Sequence, residues 1–106
     1  MAYDEELATR IRELAAGEPR LTEKKMFGGL AFLVGGNMAV AASGQGGLLV
    51  RVDPAESEAL VASSDARPME MRGREMPGWL RVDPPDEELA AWVERGVSFA
   101  RSLPPK

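Results

Sequence analysis

Neither cysteine nor histidine occurs in this sequence. The first absence removes disulfides, thiolate nucleophiles and thiolate metal ligands together, and suits a reducing compartment. The second removes the usual zinc ligand and the one side chain whose unperturbed pKa lies near neutrality. A Ser-His-acid triad is therefore impossible, and no feature of the sequence sets a serine beside Lys24 or Lys25, which could in principle activate one. Long apolar runs are missing too: Leu30 to Val34 and Met38 to Ala42 are five residues each, where a membrane helix needs roughly 20. The opening Met1-Ala2-Tyr3-Asp4-Glu5-Glu6 is acidic and has neither the positive region nor the apolar stretch of a secretory signal. A cytoplasmic location, away from membranes, is the expectation.

The 106 residues, 44% of them hydrophobic, are enough for one modest core and a single domain spanning 1–106. Charged residues at 28%, with 11 Gly and 8 Pro, fit neither a disordered nor a collagen-like chain. The net charge of -4 is unevenly spread: residues 1–23 carry 3 basic and 6 acidic side chains, 24–81 carry 7 and 6, and 82–106 carry 3 and 5. Direct nucleic-acid binding is disfavoured on average, with the slightly basic middle as its one local opening.

Leu7, Ile11 and Leu14, with Ala8 and Ala15, keep helical spacing between Tyr3 and Ala16; Asp4, Glu5 and Glu6 suit the positive end of the helix dipole, and Gly17 and Pro19 stop it. Met26 to Val34 alternates at Leu30, Phe32 and Val34. Gly35-Gly36-Asn37 then turns the chain before Met38, Val40 and Ala42 alternate again. A second turn, Ser43 to Gly47, leads to Leu48, Val50 and Val52 on one face with Leu49 and Arg51 on the other, completing a three-stranded meander. Asp53-Pro54-Ala55-Glu56 reads as a capping box opening a short helix that carries Ala59, Leu60 and Ala55 and ends near Ser63-Ser64. Met69 and Met71 alternate with Glu70 and Arg72; a turn around Met76-Pro77-Gly78 precedes a strand Trp79-Leu80-Arg81-Val82. From Leu89 to Leu103 one apolar stripe through Trp92, Val93, Gly96, Val97 and Ala100 marks the longest helix. The expected fold class is α+β: two layers, helices on a five-stranded antiparallel sheet, in the order α-β(3)-α-β(2)-α.

Chemistry is scarce in this pattern. Glu70, Asp83 and Glu88 could form a catalytic or metal-binding carboxylate pair, but most of the 17 acids fall on helix faces and caps where solvation explains them. Gly44-Gln45-Gly46-Gly47 is followed by a strand, not by the helix that a phosphate loop requires, and reads as a turn. Met69, Met71 and Met76 either fill a core or line a partner groove, and the alternation of the first two favours the core. Arg72 and Arg81, on neighbouring strands with Trp79, could form a basic and aromatic patch; Glu70 beside Arg72 points instead to cross-strand ion pairs. The segment Lys24-Lys25-Met26-Phe27-Gly28-Gly29 reads as the lead-in to a strand, with Met26 and Phe27 inward. No catalytic residue, metal ligand or cofactor is assigned.

The run Lys24-Lys25-Met26-Phe27-Gly28-Gly29-Leu30-Ala31-Phe32, with Gly36-Asn37-Met38, Ala66-Arg67-Pro68-Met69, Gly73-Arg74, Gly78-Trp79 and Trp92-Val93, resembles the TfoX (Sxy) N-terminal domain family nearly end to end. The resemblance implies a secretion-chaperone-like fold and a non-enzymatic regulatory role. Two-domain members are linked to natural competence as co-activators with a cyclic-AMP receptor-type transcription factor. The similarity covers only their N-terminal domain, so a stand-alone domain without the C-terminal helical domain is expected. Lys24, Lys25, Arg67, Arg74 and Trp79 match recurrent positions of the family and, with Arg72 and Arg81, are the candidate partner-binding residues. A protein partner, a transcription factor among the candidates, or a second copy of the chain in a homodimer is the expected ligand.

Overall fold

The computed structural model describes residues 3–26, 28–44, 46–71 and 73–105. The element order is α1 (Glu5–Leu14), β1 (Leu21–Met26), β2 (Gly29–Val34), β3 (Asn37–Ala42), β4 (Leu48–Arg51), α2 (Ser57–Ser63), β5 (Arg67–Met71), β6 (Arg74–Val82) and α3 (Asp86–Ser102). The α+β reading holds, with three helices on one antiparallel sheet, but the sheet has six strands, not five, in the order β1-β2-β3-β4-β6-β5.

The extra strand comes from Leu21–Met26. The expected strand from Met26 to Val34 is broken near Gly28, whose φ of +77° is open to glycine at little cost. The segment that reads as a strand lead-in thus holds the end of β1 at Met26 and the start of β2 at Gly29, with Gly28 in a turn. Gly29 is also too crowded for a side chain, because a Cβ there would run into the Ala42 carbonyl. The turn expected at Met76-Pro77-Gly78 is corrected as well: it falls at Gly73 (φ +79°), and residues 76–78 lie within β6. There Gly78, at φ +84°, accepts a 2.8 Å hydrogen bond from the Val52 N–H, so β6 runs on past the end of β4. Expectations for Phe27 and Arg72, and for the side chains of Met26, Met71 and Met76, lie outside the described residues.

Helix starts follow the local chemistry. Asp4 caps α1, its Oδ1 accepting from the N–H groups of Glu6 at 3.0 Å and Leu7 at 3.2 Å. Asp53 accepts from the Ala55 N–H at 2.9 Å and opens a 3-10 turn, Pro54–Glu56, ahead of α2. The residues α2 turns inward are Leu60 and Val61; Ala55 and Ala59 are exposed. Leu14, counted in the apolar stripe, ends α1 exposed at 44%.

All three helices lie on one face of the sheet. Ala8 and Ile11 of α1, Leu89, Trp92, Val93, Val97 and Ala100 of α3, and the partly buried Leu60 and Val61 of α2 join Leu30, Phe32, Val34, Val40, Leu48, Val50 and Leu80 in one cluster. Helix α3 comes close to the sheet at Gly96: a Cβ there would sit 2.5 Å from the Ala39 carbonyl oxygen. Ala39 is the residue that β3 gains at a bulge, where Phe32 pairs with Val40 but Leu33 pairs with Met38. Ion pairs between described residues fasten the helix layer to the rest. Arg12 of α1 grips Glu23 of β1 through Nε at 2.6 Å and Nη2 at 2.9 Å, and Arg101 of α3 reaches the largely buried Glu18 at 2.7 Å. Buried Asn37 donates from Nδ2 to the Pro104 carbonyl at 2.9 Å, holding the C-terminal segment against the β2–β3 turn.

Candidate functional site

Residues directly opposed in an antiparallel pair share a face, so the register assembles a surface on the side of the sheet away from the helices. Lys24 is opposite Ala31, Ala31 opposite Ala41, Ala41 opposite Leu49, Leu49 opposite Arg81 and Arg81 opposite Arg67. This row crosses all six strands. Beside it lie Thr22 opposite Leu33, Leu33 opposite Met38, and Arg51 opposite Trp79. Ala31, Ala41 and Leu49 form a second, smaller buried cluster with the half-buried Leu33, Met38 and Met69, and every member comes from the sheet. Met69 therefore packs here rather than in the main core.

The four described cations in these rows stand in different situations. Lys24 and Arg67, near the two edges of the sheet, are exposed and have no ion-pair partner among the described residues. Arg51 is half-buried, its guanidinium 5.5 Å from the Trp79 ring centroid and 5.7 Å from that of Phe99 on α3, within reach of both π faces. Arg81 donates from Nη1 to the Gly46 carbonyl at 3.2 Å and lies 3.5 Å from Ser43 Oγ. That contact straps the β3–β4 turn across the end of the sheet and gives Arg81 a structural task.

Of the residues singled out from sequence, the structure brings Lys24, Arg67, Trp79 and Arg81 to one face. Lys25 is opposite Leu30, a core residue, and so falls on the helix side of β1. Arg74 is beside the Gly73 turn, beyond the last β6 residue that pairs with β4. Arg72 lies outside the described residues. The expected alternation of Met38 with Val40 and Ala42 is corrected: the bulge at Ala39 turns Met38 to the opposite face, where it pairs with Leu33. Arg51, outside the candidate set, comes opposite Trp79 through the pairing of β4 with β6.

The candidate carboxylates do not converge. Asp83 lines an open cleft of about 800 Å³ with Asp4, Glu5, Glu6 and Glu13, whereas Glu70 and Glu88 do not line it. Among the described residues no group of three or more acidic side chains is placed to hold a metal ion. Nor is any described helix long and apolar enough to cross a membrane. The Glu23 carboxyl is held below its ordinary value by the hydrogen bonds from Arg12, which outweigh its partial burial.

Among known families, the model for the TfoX N-terminal domain matches residues 13–100, a stretch that includes every strand and all but the end of α3. No curated protein and no solved structure matches the chain.

Proposed function

The chain belongs to the TfoX N-terminal domain family, and from that premise we propose that it is a non-enzymatic regulatory module acting through a protein partner, with a transcription factor as the kind of partner expected. The observation that carries this reading is the open face of the sheet. There Leu33, Met38 and Met69 are only half-buried around Ala31, Ala41 and Leu49, a cluster drawn from the sheet alone, with the half-buried Trp79 on the same side of β6. Contiguous apolar surface with a polar rim marks interaction sites more often than it marks solvent.

The test is a transcript profile of cells that carry the intact gene, a deletion, or a Lys24→Glu, Arg67→Glu double variant. The expected result is that the variant, at normal abundance, reproduces the changes caused by deletion. A deletion that leaves transcripts unaltered contradicts the regulatory reading. A second reading, contact with single-stranded nucleic acid, draws on Trp79 beside Arg51, a pairing of ring and cation used for base stacking. It requires oligonucleotide binding that weakens steeply with salt, and no binding at low salt removes it.

A further inference from the structure

Two features of the open face constrain its occupant beyond "a protein". Its middle is closed: Ala31, Ala41 and Leu49 are at 1%, 4% and 7% exposure, so the apolar surface it offers is that of the half-buried Leu33, Met38 and Met69. Its charge is of one sign, since Lys24, Arg67 and Arg81 stand in the first row and no described acid joins either row, while the Arg51 guanidinium at the end of β4 reaches Phe99 of α3. Five strand-to-strand steps of about 4.8 Å separate Lys24 from Arg67, or roughly 24 Å. That distance is about 16 residues of α-helix.

We infer that the open face receives an acidic, amphipathic α-helix of another protein, laid across the strands, with apolar side chains against the half-buried Leu33, Met38 and Met69 and carboxylates near its two ends meeting Lys24 and Arg67. This deepens the proposed function and rests on it. A second copy of the chain fits less well, because a two-fold contact through this face sets the same cations against each other, while a contact between this face and a copy's acidic helix layer is heterologous and does not close by itself. Nucleic acid fits less well too: a stacking platform needs successive aromatics, and Trp79 is the one aromatic in the two rows, on a chain of net charge -4.

The test selects binders to the intact chain from a displayed library of random 18-residue peptides and maps them by amide and indole NMR shifts. The inference expects peptides rich in Glu or Asp that become helical on binding and shift the signals of Lys24, Ala31, Ala41, Leu49, Arg67 and the Trp79 indole. Affinity should fall about 10-fold or more in the Lys24→Glu, Arg67→Glu variant, as desolvated charge pairs across an interface are lost, and by less than about 2-fold in Lys25→Glu on the opposite face. Four results each overturn it: binders without acidic excess, binders that add as a strand to the β1 edge, concentration-dependent dimerisation that shifts these same signals, or no selected peptide at all. These leave the transcript profile untouched, whereas an unchanged profile with acidic helices still bound refutes the regulatory role and not the occupant.

Discussion

Phe32 and Leu33 are neighbours on β2 and live in different worlds. Phe32 is fully buried between the sheet and the helix layer, while Leu33 is half-buried on a face with no helix over it. The same contrast runs through the molecule: one face holds Ile11, Val40, Val50, Trp92 and Val97, and the other holds a thin cluster of alanine, leucine and methionine rimmed by cations. The covered face supplies the fold. The open face adds little to stability, yet it gathers Trp79, Lys24 and Arg67, so it is the side on which changes in binding and changes in stability should come apart.

The largest expected effect is on the covered face. Phe32→Ala removes a fully buried ring and should lower unfolding free energy by about 3–5 kcal/mol, whereas Leu33→Ala should cost about 1 kcal/mol, both read from urea unfolding. Equal costs would mean that the open face is packed as tightly as the core. Next comes the seam between α3 and the β3 bulge. Gly96→Ala forces a methyl group against the Ala39 carbonyl and should cost about 1–3 kcal/mol despite the better helix propensity of alanine. Gly17→Ala, with nothing within 4 Å of its Cβ, should stay within about 0.5 kcal/mol.

A smaller effect concerns acid. Because Arg12 holds Glu23 below its ordinary value of 4.5, the pair stabilises the fold above that pH, and the contribution is lost as pH falls through the lowered value. The difference in melting temperature between the wild type and Arg12→Ala should therefore be greatest at neutral pH and shrink below about pH 4.5; an unchanging difference contradicts the linkage. The smallest effect is expected from charge reversal on the edge strand β1, where Lys24 and Lys25 fall on opposite faces. Lys24→Glu and Lys25→Glu should both leave the melting temperature close to wild type, which makes them a matched pair for the binding experiments.

Much of this was legible from residues alone. The long stripe of α3, the Asp4 and Asp53 caps and the glycine turns at 35–36 and 44–47 each carry their own local signal. Strand β1 carries almost none: in Leu21-Thr22-Glu23-Lys24-Lys25-Met26 the inward position at Glu23 is filled by a carboxylate that Arg12 neutralises, so the alternation of apolar residues never appears. Without β1, and without the pairing of β4 with β6 across the intervening α2 and β5, Lys24, Ala31, Ala41, Leu49, Arg81 and Arg67 are scattered positions rather than a row. Arg81 illustrates the remaining gap. Its residue type suggested a ligand contact, but its partners include a serine hydroxyl and a glycine carbonyl of a distant turn, which no spacing rule places beside it.

The central claim, that the open face is covered by a partner when the protein works, is tested most directly by methionine oxidation footprinting of the chain in cells against the purified chain. Met38 and Met69 lie half-buried on that face, where a thioether is accessible to oxidant. The account predicts that both oxidise readily in the purified protein and are protected in cells. Equal oxidation of the two residues in both settings would contradict it.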